Sequence, residues 1–225
     1  MFKYSSLTIF LKGCDNLFNI IQIGAGGTGC HLVHFLSQYA TNQNKIDKYI
    51  IIDGDIVEEK NLFRQNFLPQ HVGFYKAEVV GHIYDIDYFC EYVNEKNIEQ
   101  FFNEDVINIV IGCIDTVKCR LMIDTFIKQN IMKYKAVYFD GGNLDSTAQV
   151  IVYDYINSIG QDISEFFKDK EYLDQTVSCS ELGDQTILAN MMAATYLMTN
   201  VCFYIENEEI KYTHYIINKH FIQVN

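Results

Sequence analysis

The sequence predicts an α/β fold: a mostly parallel sheet with helices on both faces, followed by a smaller antiparallel extension. Three observations carry that prediction. Short apolar runs alternate with amphipathic segments through the first 130 residues, the order that builds parallel sheets. The clearest of those runs are apolar at most positions rather than at every second residue, as strands covered on both faces are. Beyond that point, residues 149–155 and 211–224 alternate apolar and polar, the mark of strands with one wetter face. At 225 residues and 49% hydrophobic, the chain can close one core without disulfide or metal support. A single domain over 1–225 is predicted, with an N-terminal part at 18–130 and a C-terminal part at 131–225.

Taken in order, residues 19–23 read as a buried strand. Residues 28–40 follow as a helix with Leu32, Val33, Phe35 and Leu36 on its apolar face. Residues 48–52 form a second strand ending at Asp53-Gly54-Asp55. A loop at 61–70 holds Pro69, the only proline, and 76–84 is helical. Glu91-Tyr92-Val93 reads as a third, short strand and 98–102 as a short helix. Residues 107–112 are a strand, 117–129 a helix and 136–140 another strand, with 149–155 as its antiparallel partner. Residues 156–183 are polar and irregular, with one short helix. Residues 185–204 form a long helix, and the tail at 211–224 one or two strands.

The net charge of −12 argues against non-specific binding to nucleic acid or to an anionic membrane, because like charges repel. The seven cysteines are odd in number, scattered, and never in a Cys-x-x-Cys pair, so no zinc spacing is present. Free thiols and a cytoplasmic location are expected. Lys3, Lys12 and Asp15 interrupt the apolar N-terminus, unlike a signal peptide. No stretch is read as long enough to span a bilayer.

Gly24-Ala25-Gly26-Gly27-Thr28-Gly29 lies between the first strand and the first helix. Glycines there let backbone approach a phosphate, and the helix N-terminus offers N–H groups and a positive dipole end. Asp53 ends the next strand, where a carboxylate meets ribose hydroxyls. These features specify a Rossmann-type nucleotide site and leave NAD and ATP equally eligible.

The next segment separates them. Asp53-Gly54-Asp55 leads to Val57 and then to Asn61-Leu62-Phe63-Arg64-Gln65. Gly73-Phe74-Tyr75-Lys76 follows, and the strand at 107–112 leads to Asp115 and Arg120. Together with the glycine loop, this ordered set resembles the ThiF/MoeB/HesA family of the ubiquitin-activating-enzyme superfamily, and within it the compact ThiF-like proteins of bacteria and mobile elements. The only arginines, Arg64 and Arg120, both fall on motif positions, and arginine is hard to replace where a planar fork grips phosphate or carboxylate. The resemblance implies ATP-dependent adenylation of a carboxylate, the C-terminal glycine of a ubiquitin-like or sulfur-carrier protein. By position, Gly24, Gly26, Gly27 and Gly29 would cradle the nucleotide and Asp53 would hold its ribose. Asn61, Arg64 and Gln65 would line the phosphates, Lys76 would place a cation on the α-phosphate and Asp115 would hold Mg²⁺. Arg120 is read as bracing the helix behind it, and Asp55 as solvated or structural.

The resemblance also implies a dimer and a crossover loop whose cysteine accepts the activated carboxyl. The candidate is Cys179, in Val177-Ser178-Cys179-Ser180-Glu181, just before the long helix. Two departures from the family pattern stand out. The paired cysteines of structural zinc are absent, and no arginine precedes Arg64 to reach into a partner's site. These leave open a non-catalytic ATP-binding scaffold or the inactive half of a heterodimer. An NAD-dependent oxidoreductase rests on the glycine loop and Asp53 alone.

Overall fold

The computed structural model describes residues 16–144, 147–168, 187–217 and 222–224. Its parallel strands are β1 (Phe18–Ile23), β2 (Ile46–Ile52), β3 (Asp87–Phe89) and β4 (Ile107–Gly112), with β5 (Lys135–Leu144) parallel to β4. The antiparallel part adds β6 (Thr147–Asp154), β7 (Ile159–Gly160), β8 (His214–Ile217) and β9 (Ile222–Val224). All lie in one sheet of order β3-β2-β1-β4-β5-β6-β8-β9, with β7 paired to β6. The fold class is the one the sequence predicts.

Helices α1 (Gly27–Thr41), α2 (Lys76–Tyr84) and α5 (Ile187–Asn207) cover one face, and α3 (Val117–Gln129) and α4 (Ile163–Phe167) the other. The strands divide their side chains between two cores. Ile20, Ile51, Ile109 and Phe139 pack with Leu32, Val80 and Leu197 on the first face. Ile21, Ile52, Val110 and Tyr138 pack with Ile123, Ile127 and Phe167 on the second. That two-sided burial explains why these strands are apolar at most positions rather than at every second one.

The chain runs outward from β1 to β2 to β3, then returns to the other side of β1 as β4. The reversal opens a crevice at the carboxyl ends of β1 and β4, where open α/β sheets bind ligands.

Two sequence expectations need correction. The third strand is Asp87–Phe89, pairing Ile50–Ile52, and not residues 91–93. Asp53 N donates to Phe89 O at 3.1 Å, which ends the pairing there. Beyond it Val93 turns into the core while Tyr92 is left largely exposed. Second, α5 has 21 residues and is long and apolar enough to cross a bilayer by length and composition, contrary to the reading above. In the fold it packs on α1, β5 and β6, and Asn190 and Asn200 lie among its buried residues, as in a core helix. Residues 185 and 186, where the sequence reading begins this helix, lie outside the described residues.

Candidate functional site

β1 delivers the chain to Gly24, whose φ of +102° favours glycine. A Cβ there would lie 2.2 Å from Cys113 O, and one on Gly29 would lie 2.0 Å from Gly24 O. The turn therefore closes only with glycines at these positions. Gly26 differs: it caps α1, and a Cβ on it would meet nothing within 4 Å. Among the described residues no side-chain hydrogen bond caps α1, and its first turn holds no acidic residue. The helix end thus keeps its N–H groups and dipole for an outside anion. The loop is held from beneath by Gln22, which is fully buried and donates from Nε2 to Gly24 O and Gly29 O at 3.1 and 3.0 Å. Tyr49 OH donates in turn to Gln22 Oε1.

Asp53 couples this loop to the next segment. Its Oδ2 accepts from Ala25 N at 2.6 Å and its Oδ1 from Asp55 N at 2.7 Å. Burial raises its pKa above the ordinary value, against the charge of Lys76 and the two N–H bonds. Asp55 Oδ2 meets Lys76 Nζ at 2.7 Å, and Lys76 N donates to Asp55 O at 2.8 Å. Tyr92 OH donates to the other Asp55 oxygen. Burial works upward on the Asp55 carboxyl, but the bonds from Lys76 and Tyr92 outweigh it and hold the pKa below the ordinary value. The Tyr92 phenol is pushed up, first by its bond to Asp55, then by burial and the charges of Asp55, Asp53 and Asp115. Asp53, Asp55, Lys76, Tyr92 and Asp115 thus share one electrostatic neighbourhood at the carboxyl end of the sheet.

The segment after Asp55 closes over the first turn of α1. It contains two short 3₁₀ turns, Glu59–Phe63 and Pro69–His71, where the sequence reads as loop. Asn61 is buried and its Oδ1 accepts from Glu58 N at 2.9 Å, so it shapes the first of these turns. Asn66 N donates to Cys30 Sγ at 3.2 Å, and the His31 ring bonds the Arg64 backbone. Burial pushes the Cys30 thiol up to about 12, so it is a packing group and not a nucleophile. Arg64 is half-buried, and among the described residues no ion pair engages its guanidinium. Gln65 Oε1 is buried without a hydrogen-bond partner among the described residues. The uncapped α1 and the open space at Gly26 are the features a bound phosphate chain would satisfy, whereas Gln65 Oε1 is an acceptor and calls for a donor such as a hydroxyl.

Asp115 is exposed, beyond the end of β4. Arg120 is buried, and its Nε donates to Asp140 Oδ1 at 2.9 Å while its Nη2 donates to Ile114 O at 2.5 Å. Tyr138 OH also donates to Asp140 Oδ1, and the guanidinium lies 5.3 Å from the Phe167 ring centroid. Arg120 is therefore a clamp between α3, β5 and the turn carrying Asp115. Thr116 is the N-cap of α3, without a side-chain cap bond. Cys179 lies outside the described residues. Sequence reasoning did not single out Gln22, Tyr92 or Asp140. Only Gln22 left a signal, a polar side chain inside an apolar strand.

The ThiF family profile matches residues 10–223. The chain belongs to the ThiF family. Comparison with curated proteins found no match. The fold is similar to that of E. coli MccB crystallised with ATP, with a TM-score of 0.68 and 18% identity over 94% of this chain and 63% of that one. It is similar to MccB with AMPCPP and MccA, with a TM-score of 0.65 and 18% identity over 92% and 62%. PaaA gives a TM-score of 0.65 and 17% identity over 92% and 62%. The chain thus spans somewhat less than two thirds of these proteins.

Proposed function

We propose that this chain uses ATP to adenylate a carboxylate carried by a peptide or small protein. The observation that carries the reading is the hydrogen-bonded run from Ala25 through Asp53 and Asp55 to Lys76. It ties an open helix N-terminus to a buried ammonium, on the fold of MccB proteins crystallised with ATP and with AMPCPP plus MccA. In the reaction a carboxylate oxygen forms a bond to the α-phosphorus, the α–β phosphoanhydride bond breaks, and pyrophosphate leaves with the electron pair. Anion attacks anion, so the residues must offset charge as it builds on phosphorus.

The first-turn N–H groups of α1, Arg64 and Lys76 would supply that positive field. Each Asp53 oxygen already accepts one N–H and retains capacity for a ribose hydroxyl. Among the described residues no group of three or more His, Cys, Asp or Glu is placed for a metal. Mg²⁺ held at Asp115 would therefore take its other ligands from phosphate oxygens and water, and would neutralise charge on the phosphates. The resemblance favours a ubiquitin-like or sulfur-carrier C-terminus as substrate and a dimer as the working form, and the scattered cysteines favour the cytoplasm as location. Cys179 as acceptor is tested by intact-mass detection of a thiol-labile adduct that Cys179→Ala abolishes.

ATP–pyrophosphate exchange with candidate peptides and ubiquitin-like proteins tests the reading. Exchange is expected, and loss on the order of 10²–10³-fold in Lys76→Ala and Arg64→Ala. Exchange indifferent to both substitutions, or calorimetry showing NAD bound tightly and ATP not at all, would overturn it.

A further inference from the structure

Lys76 has to serve an incoming phosphate, yet its ammonium is already engaged. The Lys76 side chain is 6% exposed and its partner Asp55 is 46% exposed, at 2.7 Å. The lysine is thus almost wholly enclosed, while the carboxylate it is bonded to is nearly half open to solvent. Tyr92 OH pins the second oxygen of that carboxylate, and the Tyr92 backbone and ring pack so closely on Gly54 that a Cβ there would lie 2.8 Å from Tyr92 N. The charge of Lys76 also reaches Asp53 and the Cys30 thiol in the first turn of α1, so the ammonium acts on both the end of β2 and the start of α1.

A carboxylate on that ammonium repels a phosphate and competes with it for the same donors. We propose that Asp55 stands in for phosphate on Lys76 while the site is empty, cedes the lysine to a polyphosphate, and takes it back as pyrophosphate leaves. Asp55 thereby sets selectivity for polyphosphate: only a ligand with enough negative charge displaces it, and a neutral nucleoside does not. Tyr92 is its positioning residue, fixing the carboxylate toward the lysine. This inference rests on the nucleotide reading of the site.

Calorimetry with MgATP, inorganic pyrophosphate and adenosine separates the two. Asp55→Asn keeps the shape and both backbone bonds but removes the competing charge. It is expected to tighten ATP and pyrophosphate roughly tenfold, the scale of a half-exposed charge pair, and to leave adenosine unchanged. Tyr92→Phe, at an exposed site that tolerates it, is expected to move both anions the same way by a smaller factor. A wild-type chain that binds no ATP overturns the nucleotide reading. Asp55→Asn and Tyr92→Phe binding ATP and pyrophosphate no more tightly than wild type overturn the role of Asp55, whatever the wild type does. An equal gain for adenosine overturns it too, since it would show a general change of the site.

Discussion

Lys76 and Arg120 are both buried cations bonded to a carboxylate, at 2.7 and 2.9 Å, and they are enclosed differently. Asp140, the partner of Arg120, is 2% exposed and shares its oxygen with Tyr138 OH. Asp55, the partner of Lys76, is nearly half open to solvent. A sealed carboxylate has no other source of charge compensation, so its pair works as a structural bolt. An open carboxylate can be solvated when its partner leaves, so its pair can exchange. The same two side-chain classes thus suit architecture at Arg120 and, on the proposal above, ligand exchange at Lys76.

The largest effect should come from breaking the sealed pair. Arg120→Ala leaves Asp140 buried and uncompensated, and is expected to cost about 3–5 kcal/mol of stability in urea unfolding. Lys76→Ala should show the reverse profile. Its exchange activity is expected to fall on the order of 10²–10³-fold, with a smaller unfolding cost than Arg120→Ala because Asp55 can take up water. Equal unfolding costs would erase the distinction.

A pH series sharpens the contrast through opposite signs. The Asp55 pKa is depressed in the fold, so its stabilisation is present above the ordinary carboxylate value and lost as pH falls through the lower, folded one. The stability gap between wild type and Asp55→Asn should close over that acid range. The Asp140 pKa is raised by burial, so its ionisation opposes folding above the folded value, and that opposition is relieved as pH falls through it. Urea midpoints for Asp140→Asn should therefore lose ground to wild type as the solution is acidified. The smallest effect is expected for Tyr92→Phe, whose stability should stay within about 0.5 kcal/mol of wild type, so that any shift in nucleotide affinity is free of unfolding.

The parts of this arrangement that were legible in the sequence are the local ones. The bounds of α2, β4 and α3 follow from apolar periodicity, and the glycine loop from its place between a strand and a helix. β3 was missed because Asp87-Tyr88-Phe89 is too short to show a period, while Tyr92 and Val93 look strand-like by residue type. The partners of Lys76 and Arg120 were hidden for another reason. Asp55 meets Lys76 only because the chain turns back so that Ile56 bridges Tyr75, and Asp140 meets Arg120 only because β5 lies beside β4. Spacing along the chain carries neither return.

Gln22 has a thermodynamic consequence. Because it holds Gly24 and Gly29 from below with its own amide, the loop takes its shape without help from a ligand. Conformational entropy is then lost at folding, once, and not again at each encounter with nucleotide. Association should accordingly proceed without a loop-ordering step, and the enthalpy of binding should report contacts to the ligand rather than rearrangement of the chain.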